Sequence, residues 1–261
     1  MKLFNAIKEI IMDMGKKPRK YLPEVNSSFR EKSLVITPPV IREASGIKVH
    51  NRRIKSFLFS TDVATIAYAD ADAILAVYPQ SPHPSIIEAI TNVSSQPVFA
   101  GVGGGVTSGM RSAFVAHFAE AKGVLGIVVN SPTPIETISL LDESVDCPII
   151  ITVSSFYEDV EGKIEAGGDI LNVANGQKTP ELVRYLRAKY PEFPIIATGG
   201  PNDETILEAI HAGANAISWK PPTNAELFAE KMSIYREISR KDYMDSHEGM
   251  TLYEYEAQEN S

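Results

Sequence analysis

The stretch PIIATGGPNDETILEAIHAGANAISWKPP, residues 194–222, holds the repeating unit of the chain. An apolar run, 194–200, ends in two glycines. The helical stretch that follows has Asp203 and Glu204 in its first turn, where the helix dipole favours acids, and closes on Gly213. A second apolar run, 216–222, stops at Lys220 and two prolines. Strand, helix and strand in this order make one βαβ unit.

Working outward, the same alternation recurs upstream. Further apolar runs are IKSFLFS (54–60), AILAVYP (73–79), PVFAGVG (97–103), VLGIVVN (124–130), PIIITVS (148–154) and DILNVAN (169–175). Each is short and unbroken rather than alternating, the pattern of parallel strands buried on both faces. Capped, amphipathic stretches lie between them; KTPELVRYLRAKY, for instance, places Pro180 at a first helical position and basic residues near its end. Eight strand–helix units predict an α/β fold, a closed (β/α)8 TIM barrel over residues 54–241, in keeping with the ~200–250 residues such barrels take. The helix after the first strand, VATIAYA, is very short, and the last runs from about Ala225 to Arg240. Residues 1–53 read as an N-terminal extension with an amphipathic helix and the strand-like SLVITPPVI (33–41). Residues 242–261 read as a tail in which MTLYEYE (250–256) alternates like an edge strand.

Composition narrows the function. No apolar run approaches the ~20 residues of a membrane span. The net charge of −8 argues against nucleic acid as a partner of the whole chain. The single cysteine, Cys147, makes no internal disulfide, fits a core position, and points to a reducing, cytoplasmic setting. Extensions at both ends suggest a homo-oligomer.

In a barrel of this kind the loops after the strands form the active face, and phosphate commonly sits after strands seven and eight. Glycines let backbone N–H groups approach an anion, and a helix start adds a positive dipole. Thr198, Gly199, Gly200 and Asn202 are therefore read as a phosphate corner, joined by Ser218. At the eighth strand Lys220 supplies a full charge where Pro221 and Pro222 have no N–H. The double glycine alone is equally a tight turn. Other strand ends offer Asn130, Ser154, Asn175 and Gly176, with Gly103, Gly104 and Gly105 in a glycine-rich loop. That loop does not complete a dinucleotide pattern, since G-x-G-x-x-G from Gly101 ends on Val106.

Strand ends are poor in acid–base groups. Asp62 and Lys220 are the candidate catalytic pair, Asp62 as base and Lys220 as holder of charge, although Asp62 also stands where a helix cap would. The five histidines form no spacing with acids or Cys147 that suits a metal, and no cofactor is expected.

The motifs PVFAGVGGGVTSG, LGIVVNSPTPIETI with PIIITVSS, LNVANGQKTPELVRYL and IIATGGPNDETILEAIHAGANAIS resemble the ribulose-phosphate-binding barrel superfamily, most closely the glycerol-3-phosphate-responsive antiterminator family, over residues 54–225. The resemblance implies a barrel that binds a phosphorylated small molecule. Two functions fit. The one preferred is a lyase or isomerase acting on a small phosphorylated or otherwise anionic metabolite. The other is a non-catalytic sensor of such a metabolite.

Overall fold

The computed structural model describes Tyr21, Pro23, Val25 and residues 35–259. The amphipathic helix expected in the first 20 residues lies outside the described residues.

A 3-10 helix, Pro39–Glu43, leads into a two-stranded antiparallel hairpin of β1 (Ile47–Val49) and β2 (Arg52–Ile54). Eight parallel strands follow: β3 (Ser56–Phe59), β4 (Ala73–Ala76), β5 (Val98–Gly103), β6 (Gly126–Val129), β7 (Ile149–Val153), β8 (Ile170–Val173), β9 (Ile195–Thr198) and β10 (Ala216–Trp219). They close on themselves in sequence order, with β10 hydrogen-bonded to both β9 and β3. The expected (β/α)8 barrel is therefore the fold.

The helices are α1 (Val63–Ala67), α2 (Pro84–Val93), α3 (Met110–Ala121), α4 (Ile135–Asp142), α5 (Val160–Glu165), α6 (Thr179–Lys189), α7 (Asp203–His211), α8 (Asn224–Ser246) and α9 (Leu252–Glu259). As the sequence suggested, α1 is short, with five residues. The tail expectation fails: α9 is a helix, not an edge strand. Thr251 and Glu254 form reciprocal hydrogen bonds at its start, a capping pair that outweighs the alternation of Leu252, Tyr253, Glu254 and Tyr255.

Strand periodicity divides the core in two. Phe57, Phe99, Ile150, Ile170 and Ile196 point into the barrel, with Phe57 and Phe99 packed edge to face at 5.3 Å. Leu58, Ile74, Ile127, Leu171 and Ile217 point outward under the helices. Each fully buried large side chain contributes about 1.5–3 kcal/mol. Ile47, Val49 and Ile54 of the hairpin join the inner cluster, so the hairpin closes the floor where the strands begin. Polar ties fix strand starts: the Lys55 and Ser56 amides donate to Asp72 Oδ2, and the Asp72 amide donates to Ser56 Oγ. Arg187 donates to the carbonyls of Gly213, Tyr190, Pro191 and Phe193 and to Asn215 Oδ1, holding the approach to β9 and β10.

The 23-residue α8 is anchored by a capping box between Thr223 and Glu226, yet buries none of its residues. Phe228, Ile234, Tyr235 and Ile238 are exposed along it.

Candidate functional site

With the hairpin on the floor, the opposite end of the barrel is the open one. Residues continuing the inward positions of the strands surround a cavity of about 300 Å³ there. Its floor is apolar, made by Phe59, Leu75, Val77 and Ala174. Its wall is a ring of uncharged polar groups: Asn130, Thr152, Asn172, Thr198 and Ser218. Register pairs these groups across neighbouring strands, Thr152 beside Asn172 and Thr198 beside Ser218. Asn172 Nδ2 donates to Thr152 Oγ1 at 3.3 Å, and Ser218 Oγ lies 3.5 Å from Thr198 Oγ1. Lys220 stands at the rim, exposed, the one cation lining the cavity, with no hydrogen bond or ion pair among the described residues.

A wider cleft of about 500 Å³ shares Phe59, Val77, Asn130 and Lys220 with this cavity, so the two are continuous. It adds Ser60, Thr61, Asp62, Tyr78 and Pro79. Asp62 is the N-cap of α1: Oδ1 accepts from the Thr65 amide at 2.8 Å, while Oδ2 accepts from Asn224 Nδ2 at 2.8 Å. The hydrogen bond from the Thr65 amide, above all, holds its carboxyl below the usual range. The capping role anticipated beside the catalytic one is thus the role seen. The Tyr78 phenol oxygen accepts from the His83 amide at 2.7 Å, and Tyr78 lines the cleft.

The corner at Gly199 and Gly200 is built otherwise than expected. The Gly199 amide donates to the Ser218 carbonyl at 2.7 Å, so it is not open to an anion. A Cβ on Gly200 would lie 2.1 Å from Thr205 Oγ1. The missing side chain serves the packing of the turn on α7. Asn202 caps α7 by accepting from the Thr205 amide at 3.0 Å, and Asp203 and Glu204 already bring negative charge to the helix start. Gly200 lines a third cavity of about 290 Å³, with Gly176, Thr179, Pro180, Thr205 and Glu208. It lies between the loops after β8 and β9, and Thr198 and Gly199 separate it from the mouth.

Of the other expected site residues, Asn175, Ser154, Gly103, Gly104 and Gly105 line none of these three cavities. The Asn175 amide donates to Thr179 Oγ1 at 2.9 Å, closing the turn into α6. A Cβ on Gly103 would meet Ser112 Oγ at 2.2 Å; Gly104 takes φ +102° and would meet Asn130 Cβ at 2.6 Å. This glycine run lets β5 press against β6 and α3. Ser154 belongs to a buried network. Glu158 Oε1 accepts from the Ser154 amide at 2.7 Å and from Ser131 Oγ at 2.8 Å, and Glu158 Oε2 pairs with Lys163 Nζ at 2.5 Å. Lys163 Nζ also donates to the Ser131 carbonyl at 2.6 Å, tying the loops after β6 and β7 together.

The structure therefore brings Asn130, Thr198, Gly199, Ser218 and Lys220 together at the mouth, with Asp62 in the adjoining cleft. Sequence reading missed Phe59, Leu75, Thr152, Asn172 and Ala174. The available signal was a lone Asn or Thr inside an otherwise apolar run, as in DILNVAN and PIIITVS. Among the described residues, no group of three His, Cys, Asp or Glu side chains is placed to hold a metal ion, and no helix is long and apolar enough to cross a membrane.

Fold and site together define a (β/α)8 barrel with a small, one-cation cavity at its mouth. No protein-family model and no curated protein matches the sequence. Solved structures do match. A phosphoenolpyruvate phosphomutase from Streptomyces platensis subsp. rosaceus is 12% identical with a TM-score of 0.54, covering 74% of this chain and 83% of its own. A 2,3-dimethylmalate lyase of the PEP mutase/isocitrate lyase superfamily is 13% identical at 0.54, covering 88% and 90%. A 4-hydroxy-tetrahydrodipicolinate synthase from Methylacidiphilum fumariolicum SolV is 16% identical at 0.52, covering 68% and 70%. At such identities the likeness is one of fold.

Proposed function

We propose that the protein is an enzyme of lyase or isomerase type that acts on a small anionic metabolite, carboxylated or phosphorylated, bound at the barrel mouth. The observation that carries this reading is Lys220, among the described residues the one cation lining a cavity with an apolar floor and a neutral polar wall. At the rim of an apolar pocket a lysine attracts a ligand anion, with solvent screening part of that attraction. The ring of Asn130, Thr152, Thr198 and Ser218 orients the ligand by hydrogen bonds, and the apolar floor excludes water from its carbon skeleton.

For the chemistry, Lys220 offsets negative charge that develops on an oxygen as a carbon–carbon bond breaks or a proton moves. Tyr78 is the nearest candidate for proton exchange in the adjoining cleft. Asp62, ionised and engaged by Thr65 and Asn224, holds the start of α1 and α8 and is a weak base there. The solved structures of similar fold bear names of enzymes acting on small anions, which supports the class by analogy.

The scarcity of acid–base groups at the mouth favours a second reading, a sensor of the same kind of metabolite, as the resemblance to the antiterminator family implies. One experiment separates them. Small 2-oxo acids, hydroxy acids and sugar phosphates are titrated by calorimetry into the wild type and Lys220→Met, and every binder is then followed by NMR for turnover. The enzyme reading expects binding weakened at least ~10-fold in Lys220→Met, together with conversion by the wild type. A ligand that binds at Lys220 and stays unchanged identifies a sensor.

A further inference from the structure

Asn172 is the one member of the mouth ring whose side chain is buried, unsatisfied and turned inward. It is 7% exposed. It follows Ile170 at the next inward position of β8, while Leu171 and Val173 face the helices. One end of its amide is engaged, Nδ2 donating to Thr152 Oγ1 at 3.3 Å; the other, Oδ1, has no partner. Buried amide ends are nearly always hydrogen-bonded, and one left open on a cavity wall is free to bond a ligand there.

We propose that Asn172 is a specificity-determining residue that reads a hydroxyl on the ligand, so that the substrate class is a hydroxylated anion, a hydroxy acid or a sugar phosphate, rather than a simple carboxylate or alkyl phosphate. This deepens the preceding reading and rests on it. Three features carry the choice of a hydroxyl. The part of the cavity beside Asn172 holds about 300 Å³, space for a short chain below the rim. Among the described residues Lys220 is the one charged group lining this cavity, Asp62 lying in the adjoining cleft, so a ligand's anion is placed at Lys220 and an uncharged group faces Asn172. A hydroxyl also satisfies either orientation of an asparagine amide, donating to Oδ1 or accepting from Nδ2, which an ether or a carbonyl does not. The hydroxyls of Thr198 on the neighbouring β9 and of Ser218 on β10 beyond it give a polyol further partners.

The test uses matched pairs differing by hydroxyl groups: L- and D-malate against succinate, and glycerol 3-phosphate against propyl phosphate. Affinities are measured by calorimetry for the full chain, Asn172→Leu and Lys220→Met. Leucine keeps the branched outline and heavy-atom count of asparagine, is bulkier, and removes the hydrogen bond. The proposal expects the hydroxylated member of a pair to bind the wild type at least ~10-fold more tightly, and that preference to vanish in Asn172→Leu while the deoxy probe binds as before. Equal affinities within both pairs would overturn it and leave the anion site standing. Absence of binding by every probe, unaffected by Lys220→Met, would overturn the anion site as well. Should Asn172→Leu fail to fold, Asn172→Ala takes its place, and a hydroxyl preference that survives loss of the asparagine amide overturns the proposal.

Discussion

The amide nitrogen of Gly199 lies 2.7 Å from the carbonyl oxygen of Ser218 and donates to it, carrying the β9–β10 ladder one step past Thr198. This bond turns a stretch that reads as an anion cradle into a piece of sheet. Gly200, one residue on, is fixed by contact rather than by ligand. Gly200→Ala places a Cβ against the Thr205 side chain and is expected to destabilise the fold by about 1–3 kcal/mol. Urea unfolding gives the value. In a Thr205→Gly background the penalty falls, and a penalty that stays the same removes the packing explanation.

The Glu158–Lys163 pair is enclosed, with side chains 14% and 8% exposed, and it is hydrogen-bonded to Ser131 and Ser154. Lys163→Met leaves a buried carboxylate without its cation and is expected to cost about 3–5 kcal/mol. Burial pushes the Glu158 carboxyl up, but hydrogen bonds from Lys163, Ser154 and Ser131 outweigh it and set it below its ordinary 4.5. A carboxyl depressed in the folded state stabilises above the unfolded value and loses that contribution as pH falls through the folded one. The stability gap between wild type and Glu158→Gln should therefore be full at pH 7 and shrink below pH 4.5. Melting curves across pH 3–7 check this.

Cys147 is half-buried, its amide donates to Glu120 Oε1 at 3.0 Å, and burial together with Glu120 pushes its thiol up to about 12. It is inert by that account. Reaction with a disulfide reagent at pH 8 should be slower on the order of a hundredfold in the native protein than after denaturation. Rapid native reaction would show an open, ionised thiol instead.

A 23-residue helix with no buried residue and with Phe228, Ile234, Tyr235 and Ile238 exposed is expected to find a second copy. Light scattering should give at least twice the chain mass, falling toward the monomer in Phe228→Glu/Ile238→Glu. A wild-type monomer would refute self-association.

The barrel was legible because eight unbroken apolar runs are hard to place in any other closed fold, and because signals such as Pro180 at a helix start and Gly213 at a helix end marked the helices between them. The site was only half legible. Lys220, Ser218, Thr198 and Asn130 sit at strand ends, where function is sought. Thr152 and Asn172 sit inside apolar runs, where sequence offers no sign that the barrel mouth reaches down to them. The glycines misled for a physical reason: Gly103, Gly104 and Gly200 admit close neighbours in the chain itself, and that signal is the same as the one for admitting a ligand. In the tail, two-residue alternation and a Thr251–Glu254 cap competed, and the cap decided.

The most direct test of the account is where a bound anion perturbs the protein. Amide and asparagine side-chain NMR spectra are recorded as glycerol 3-phosphate or malate is added to the wild type. The mouth reading predicts shifts at Asn130, Thr152, Asn172, Ser218 and Lys220, with residues 200–205 quiet. Shifts concentrated at Gly200 and the first turn of α7, with Asn172 and Lys220 unmoved, would contradict it and return the ligand to the double glycine.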